Sequence, residues 1–153
     1  MYKRQVVSVD QDGTITGIKG GTAVITAKAY NGISSSMEVT VNPSKKLMNL
    51  RVNYTRDDDN NIGDEWSYTT EINGENTGRD YVVTAGESIK LRIKIVEEDD
   101  NPDVGEAEKT YKVTEADLEN GFTVPLELYV KENGGRNSGK SAHFNVEYSF
   151  TVK

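Results

Sequence analysis

Cysteine is absent from this chain of 153 residues, which excludes disulfides, thiolate metal sites and cysteine nucleophiles but not secretion. Apolar residues are scarce, at 35%, a fraction that is low for a globular chain and typical of small β domains with one solvated face. No apolar run reaches the roughly 18 residues of a membrane-spanning helix. Residues 1–10 lack the apolar segment of a signal peptide, so any export signal is expected upstream of them.

Positive net charge is also lacking, since the formal net charge is −7, which disfavours general nucleic-acid binding. The acidity is concentrated in residues 57–65 and 97–106. These two segments hold eleven Asp and Glu residues and no Lys or Arg, and without those acids the net charge would be +4. The acidity is therefore local, and we expect it in two loops.

Turn-forming dipeptides divide residues 6–42 into short β-type segments, at Asp12-Gly13, Gly20-Gly21 and Asn31-Gly32. Asn-Gly and Asp-Gly relieve the steric cost of the positive φ that tight hairpins demand. The pattern V-S-V-D-x-D-G-T-I-T-G-I-K-x-G-T-A-x-I-T-A, followed by V-T-V-N-P, resembles the C-terminal half of a group 2 bacterial immunoglobulin-like domain. This family builds surface stalks and adhesins, so the resemblance implies an extracellular binding or spacer protein and not an enzyme.

A full domain of that family has further strands before the matching segment, whereas this sequence begins at Met1. Half a sandwich leaves sheet edges unpaired and one apolar face open. We therefore expect a fragment of a longer protein, or a start codon placed within the domain. The half-domain should pack on the rest of the chain or on another copy, which predicts self-association through this module.

After Pro43, apolar and polar residues alternate with a period of two in several segments, which is typical of half-buried strands. The strongest such segment is Ser88–Val96. The single helical signal is one turn beginning at Thr114, whose hydroxyl is a suitable N-cap. We predict an all-β chain, in which residues 1–43 form a partial immunoglobulin-like module and residues 44–153 form an antiparallel β-sandwich.

The two acidic segments share a spacing of oxygen-bearing side chains, followed in each by a glycine at Gly63 or Gly105. Such spacing suits Ca²⁺, which takes about six to eight oxygen ligands. The segments differ from an EF-hand because the glycine falls one place late and no helices flank it. They resemble instead the calcium-binding loops of C2-like sandwiches. The predicted ligands are Asp57, Asp59, Asn61, Asp64, Asp99, Asn101 and Asp103. The alternative is that these acids merely keep loop tips solvated.

Whether the two acidic loops meet depends on residues 74–87. If these residues form one crossing connection, the strands before both loops run in the same direction and the loops share one end of the sandwich. If Tyr81–Thr84 is a separate paired strand, the loops are expected at opposite ends.

Nucleotide binding and catalysis are both disfavoured. Gly134–Ser141 matches the phosphate-binding string G-x-x-x-x-G-K-[ST], but that site needs a helix directly after its lysine, and the residues that follow alternate as a strand. We therefore predict a flexible hairpin loop and no nucleotide. His143 is a lone histidine without a nucleophile partner, and the acids crowd loop tips where no apolar pocket raises their pKa.

Trp66 is the aromatic residue most suited to contact a sugar, because it stands at the mouth of the first acidic loop. Other aromatic residues at inward strand positions are expected in the core. The leading hypothesis is a non-catalytic adhesion or spacer protein, extracellular or on a bacterial cell surface, stabilised by Ca²⁺ and directed at a surface protein or glycan. The alternative is a carbohydrate-binding module of a secreted hydrolase, and a third possibility is a purely structural spacer.

Overall fold

The computed structural model of the protein describes residues 5–57, 63, 65–134 and 136–153. Within them the chain is all-β, as the alternation predicts. The first four strands are β1 (Val7–Val9), β2 (Ile15–Gly17), β3 (Gly21–Lys28) and β4 (Ser34–Val41). The next five are β5 (Lys45–Arg56), β6 (Trp66–Ile72), β7 (Glu75–Asn76), β8 (Asp80–Thr84) and β9 (Ser88–Glu97). The chain then forms β10 (Asp103–Lys112), helix α1 (Glu115–Asn120), β11 (Phe122–Lys131) and β12 (Ser141–Val152).

Two four-stranded antiparallel sheets make a sandwich from β5 to β12. One sheet has the order β10-β9-β6-β7 and the other β11-β12-β5-β8. Alternate side chains of the central strands point between the sheets and are buried there, because the period of two places every second residue on one face. The buried positions of β9 and β12 are Ile89, Leu91, Ile93, Ile95, Phe144, Val146, Tyr148 and Phe150.

The strands β1 to β4 form two separate antiparallel pairs, β1-β2 and β3-β4. Not one of the described residues 5–43 is fully buried, and apolar side chains such as Val24 and Met37 are exposed. The two pairs touch where Gly17 lies against the Val41 side chain. The module joins the sandwich close to Pro43, and Gly20 approaches the Pro43 backbone. Its immunoglobulin-like character remains a prediction.

The path between β6 and β9 corrects the expectation that a paired strand at Tyr81–Thr84 would separate the acidic loops. That strand exists as β8, which pairs antiparallel with the first half of β5. Yet β5 and β9 still run in the same direction. Strand β12 is antiparallel to β5 and strand β6 is antiparallel to β9, and both β12 and β6 start at the end of the sandwich where β5 and β9 finish. The reason is β7, which is antiparallel to β6. It adds one more reversal of the chain before β8, and β9 therefore runs in the direction of β5.

Helix α1 confirms the predicted N-cap. The Thr114 hydroxyl accepts a hydrogen bond from the Asp117 backbone N–H, and the Asp117 carboxylate accepts one from the Thr114 N–H. This reciprocal pair satisfies two amides that would otherwise lack partners. In the part of the chain that the structure describes, no helix is long and apolar enough to cross a lipid bilayer.

Candidate functional site

Three connections, residues 57–65, 98–102 and 132–140, begin and end at strands that meet at one end of the sandwich. We call this the distal end. Trp66 of β6, Glu97 of β9 and Asp103 of β10 stand side by side in register. In the facing sheet, Arg56 of β5 pairs with Phe144 near the start of β12. The opposite end, the base, adjoins the N-terminal module. The connections 57–65, 98–102 and 132–140 therefore all leave the sandwich at the distal end.

Three buried carboxylates meet at the distal end, and we call them the acidic triad: Glu97, Asp103 and Glu132. Their carboxylate oxygens lie within 4.8 Å of one another. The residues are only 5%, 2% and 9% exposed. Carboxylates are rarely buried unless they are paired with a cation or coordinate a metal, so this arrangement needs an explanation.

Strand geometry places each triad residue. Glu97 continues the inward row of β9, two positions after Ile95, and Asp103 is its register partner on β10. Glu132 continues the inward row of β11, two positions after Val130. The triad thus joins both sheets, because β9 and β10 belong to one and β11 to the other.

The three carboxylates differ in how their oxygens are satisfied. Asp103 accepts hydrogen bonds from the Asn133 backbone N–H, 3.2 Å from either oxygen, and from Asn133 Nδ2 at 2.7 Å. Glu132 is fixed through its backbone, whose N–H donates to the Lys140 carbonyl at 3.0 Å. In contrast, Glu97 Oε2 is buried and has no hydrogen-bond partner in the part of the chain that the structure describes. Burial raises the pKa of Glu97, and the nearby carboxylates of Asp99, Glu132 and Asp103 raise it further.

Gly63 lies directly against the triad. It has a φ of +48°, and a Cβ added there would overlap the carboxylate of Glu97. Its carbonyl accepts hydrogen bonds from Trp66 Nε1 at 3.2 Å and from Arg56 Nη1 at 3.3 Å. Gly63 therefore connects the acidic triad with the aromatic residues behind it, at a position where only glycine fits without strain.

The structure distributes the seven predicted calcium ligands unevenly. Asp103 belongs to the triad, and Asp99 lies beside Glu97, with its Oδ1 accepting the Asn101 backbone N–H at 2.7 Å. Asp57 lies apart, on the β12 side, where Asn145 Nδ2 donates to its carboxylate and His143 Nδ1 is 3.5 Å away. The remaining predicted ligands lie outside the described residues, namely Asp59, Asn61 and Asp64.

Glu97 and Glu132 are site residues that sequence reasoning missed. By charge alone Glu97 falls with the other acids of residues 97–106, and Glu132 lies outside both acidic segments. The available signal is the alternation of side chains along a strand, because each glutamate falls on the inward row of its strand. The rows are Ile89-Leu91-Ile93-Ile95-Glu97 and Val124-Leu126-Leu128-Val130-Glu132.

Trp66 is not an open platform. Its ring is half-buried, meets the Phe144 ring edge-on at 4.9 Å, and carries the Arg56 guanidinium 5.3 Å from its centroid. Two rings near Trp66 are more open, those of Tyr54 and Tyr68, which are 38% and 40% exposed and have centroids 4.5 Å apart. Burial raises the pKa of both phenols.

The phosphate-binding string leads into a strand and not into a helix, as predicted, since β12 begins at Ser141. The backbone N–H of Gly139 donates to the Glu132 carbonyl, which closes a hairpin. His143 lies in β12 and stacks on Tyr129, with ring centroids 4.5 Å apart. The geometry of this segment is that of a β-hairpin loop.

Comparison of the chain with family models, with curated proteins and with solved structures finds no match. The resemblances to immunoglobulin-like and C2-like domains therefore remain predictions from the sequence.

Proposed function

We propose that the protein is a non-catalytic adhesion or spacer module of a bacterial surface or secreted protein. The observation that carries this proposal is the separation of the two ends of the sandwich. The N-terminal module joins the base at Pro43, while three connections leave the distal end. Loops on a rigid scaffold are the usual position of binding residues, so the distal loops are the expected contact with a surface protein or glycan.

The packing between the sheets supports a role as a rigid scaffold. Large side chains from both sheets fill this space, among them Tyr148, Phe144 and Phe150. Such a core gives the loops a rigid support. Ligand contacts are then left to the distal surface, whose exposed acids include Glu98 and Asp100.

The test compares charge reversal at the two ends. The distal variant is E98K/D100K and its matched control at the base is E87K/E119K, since all four side chains are exposed. Each purified chain is applied to arrays of glycans and of extracellular matrix proteins. We expect binding that changes at least severalfold in the distal variant and stays unchanged in the control.

Two results would count against the proposal. A ligand that responds only to the base variant would place the contact at the wrong end. Chemical turnover of a bound glycan by the purified chain would contradict the non-catalytic assignment. If neither array retains the chain, adhesion is eliminated and the spacer role stands alone.

A carbohydrate-binding module of a secreted hydrolase is the second candidate, favoured by the exposed ring pair of Tyr54 and Tyr68. Aromatic rings held in place by packing offer apolar faces to sugars at little cost in entropy. Affinity electrophoresis in soluble polysaccharides tests it with the variant Y54A/Y68A. The control is Y30A, which removes an exposed tyrosine of the N-terminal module. Retardation lost only in the double variant would support this candidate.

A further inference from the structure

We propose that the acidic triad is a binding site for one divalent cation, Ca²⁺. This inference goes beyond the proposed function, because it holds whether or not the distal loops bind a partner. It depends on two separate observations. The carboxylates of Glu97, Asp103 and Glu132 converge within 4.8 Å, and among the described residues none donates a hydrogen bond to the buried Glu97 Oε2.

The spacing of the oxygens suits a shared ion. Oxygens bound to the same Ca²⁺ at about 2.3–2.6 Å lie no more than roughly 5 Å apart, which the triad already satisfies. Three buried carboxylates repel one another strongly when they share no counter-charge. A cation at their centre would offset that repulsion and would also give Glu97 Oε2 its missing partner.

The donor set indicates which cation. Carboxylate oxygens are hard ligands that suit Ca²⁺, Mg²⁺ or Mn²⁺, whereas Zn²⁺ sites favour nitrogen and sulfur donors. Mg²⁺ demands near-ideal octahedral geometry and gives up its waters reluctantly. The triad instead holds its carboxylates in fixed places. Asn133 donates hydrogen bonds to Asp103, and Gly63 packs against the Glu97 carboxylate. An ion with flexible coordination therefore fits best.

The position of the site defines its effect on the fold. Glu97 and Asp103 end one hydrogen-bonded strand pair of the first sheet, and Glu132 follows β11 of the second. One ion bound by all three would cross-link the two sheets where the distal connections begin. We therefore expect binding to raise the stability of the whole sandwich and not only to order one loop.

The test is a series of thermal melts of the full chain in EDTA, in excess Ca²⁺ and in excess Mg²⁺. For the unsubstituted chain, Ca²⁺ at a hundredfold excess over Kd should raise the melting temperature by roughly 5–10 °C, and Mg²⁺ by much less. The variants E97Q and E132Q should lose this rise. In EDTA they should melt at or above the temperature of the unsubstituted chain, because glutamine removes the repulsion.

The matched control is E98Q, which makes the same chemical change at the exposed neighbour of Glu97 and should keep the full rise. If Ca²⁺ does not change the melting temperature of the unsubstituted chain, the proposal is overturned. The triad would then be explained by protons shared between its carboxyl groups. An undiminished rise in both E97Q and E132Q would also overturn it. Should either variant fold poorly, calorimetric titration of the unsubstituted chain with Ca²⁺ decides, with one site expected and no binding heat refuting the site.

Discussion

Tyr148 is the largest fully buried side chain and links the two sheets of the sandwich. It belongs to β12, and its hydroxyl donates to the backbone carbonyl of Arg92 on β9, in the opposite sheet. Burial raises the pKa of this phenol well above its ordinary value. The native state therefore keeps the proton of Tyr148 at pH values where an unfolded chain would release it.

This raised pKa predicts the sign of an alkaline effect. The contribution of Tyr148 is fully present below the ordinary tyrosine pKa of 10.0 and is lost as the pH rises above it, because only the unfolded state then ionises. Y148F should cost about 1–2 kcal/mol at neutral pH, since the Arg92 carbonyl loses its donor. Urea unfolding from pH 7 to pH 11 should show this deficit shrinking above pH 10. A deficit that stays constant would refute the argument, and Y129F, at an exposed tyrosine, serves as the control.

Single residues also show why sequence reasoning misses Glu97 and Glu132, although it includes Asp103 among the predicted ligands. The charge of the two acidic segments allows both calcium ligands and solvated loop tips, and Asp99 and Asp100 are exposed. The alternation of buried and exposed positions predicts instead that Glu97 is buried, because it continues the inward row of β9. What the sequence could not supply was proximity, because Glu97 and Glu132 are brought together only by the packing of one sheet on the other.

At the scale of elements, β10 and β11 lie side by side although they belong to different sheets. Gly105 permits this approach, since a Cβ there would stand 2.7 Å from the Tyr129 carbonyl oxygen and 2.8 Å from Val130 Cγ2. Farther along, Lys109 Nζ donates to the Pro125 carbonyl at 3.0 Å. The sandwich is therefore closed along this flank.

Replacing Gly105 should open that flank. We expect G105A to lower the free energy of unfolding by about 1–3 kcal/mol, because the added methyl group meets the backbone carbonyl oxygen of Tyr129 and the packed side chains of Val130 and Leu128. The control is G78A, at an exposed position where the nearest atom to an added Cβ is 3.8 Å away. Equal urea midpoints for the two variants would show that the flank has room to spare.

Elements were predictable where the signal is local. The Thr114 cap and the inward row of Ser88–Val96 depend on neighbours in sequence, and both are present. Strand pairing was not, because the period of two gives the face of a strand and not its partner. The short β7 is the clearest case, because its reversal along β6 makes β5 and β9 run in the same direction although β8 is paired between them in sequence.

On the scale of the whole molecule, the buried core is confined to the sandwich. Its fully buried apolar residues run from Met48 to Phe150, and the described part of residues 5–43 supplies none. Hydrophobic burial is the main source of stability, so most of the free energy of folding should come from residues 44–153.

A truncation follows from this distribution. We expect residues 44–153 alone to unfold cooperatively, with a melting temperature within roughly 4 °C of the full chain, a shift that corresponds to about 1 kcal/mol or less. Calorimetry of both chains measures it. A truncated sandwich that melts without a cooperative transition would show that the N-terminal module is part of the fold. In that case the N-terminal module would contribute more to the free energy of folding than the exposure of the apolar residues of β3 and β4 indicates.

Because β5 and β12 are hydrogen-bonded antiparallel neighbours, Met48 pairs with Val152 at the base. The chain thus enters and leaves the sandwich at adjacent points. Tension applied between Lys45 and Lys153 would load the rungs of this ladder one after another, as in unzipping, and not all at once, as in shear. Such a geometry opens the base first, whereas the acidic triad lies at the far end and its residues are outside this ladder. Mechanically, tension between these two points would separate β5 from β12 one residue pair at a time.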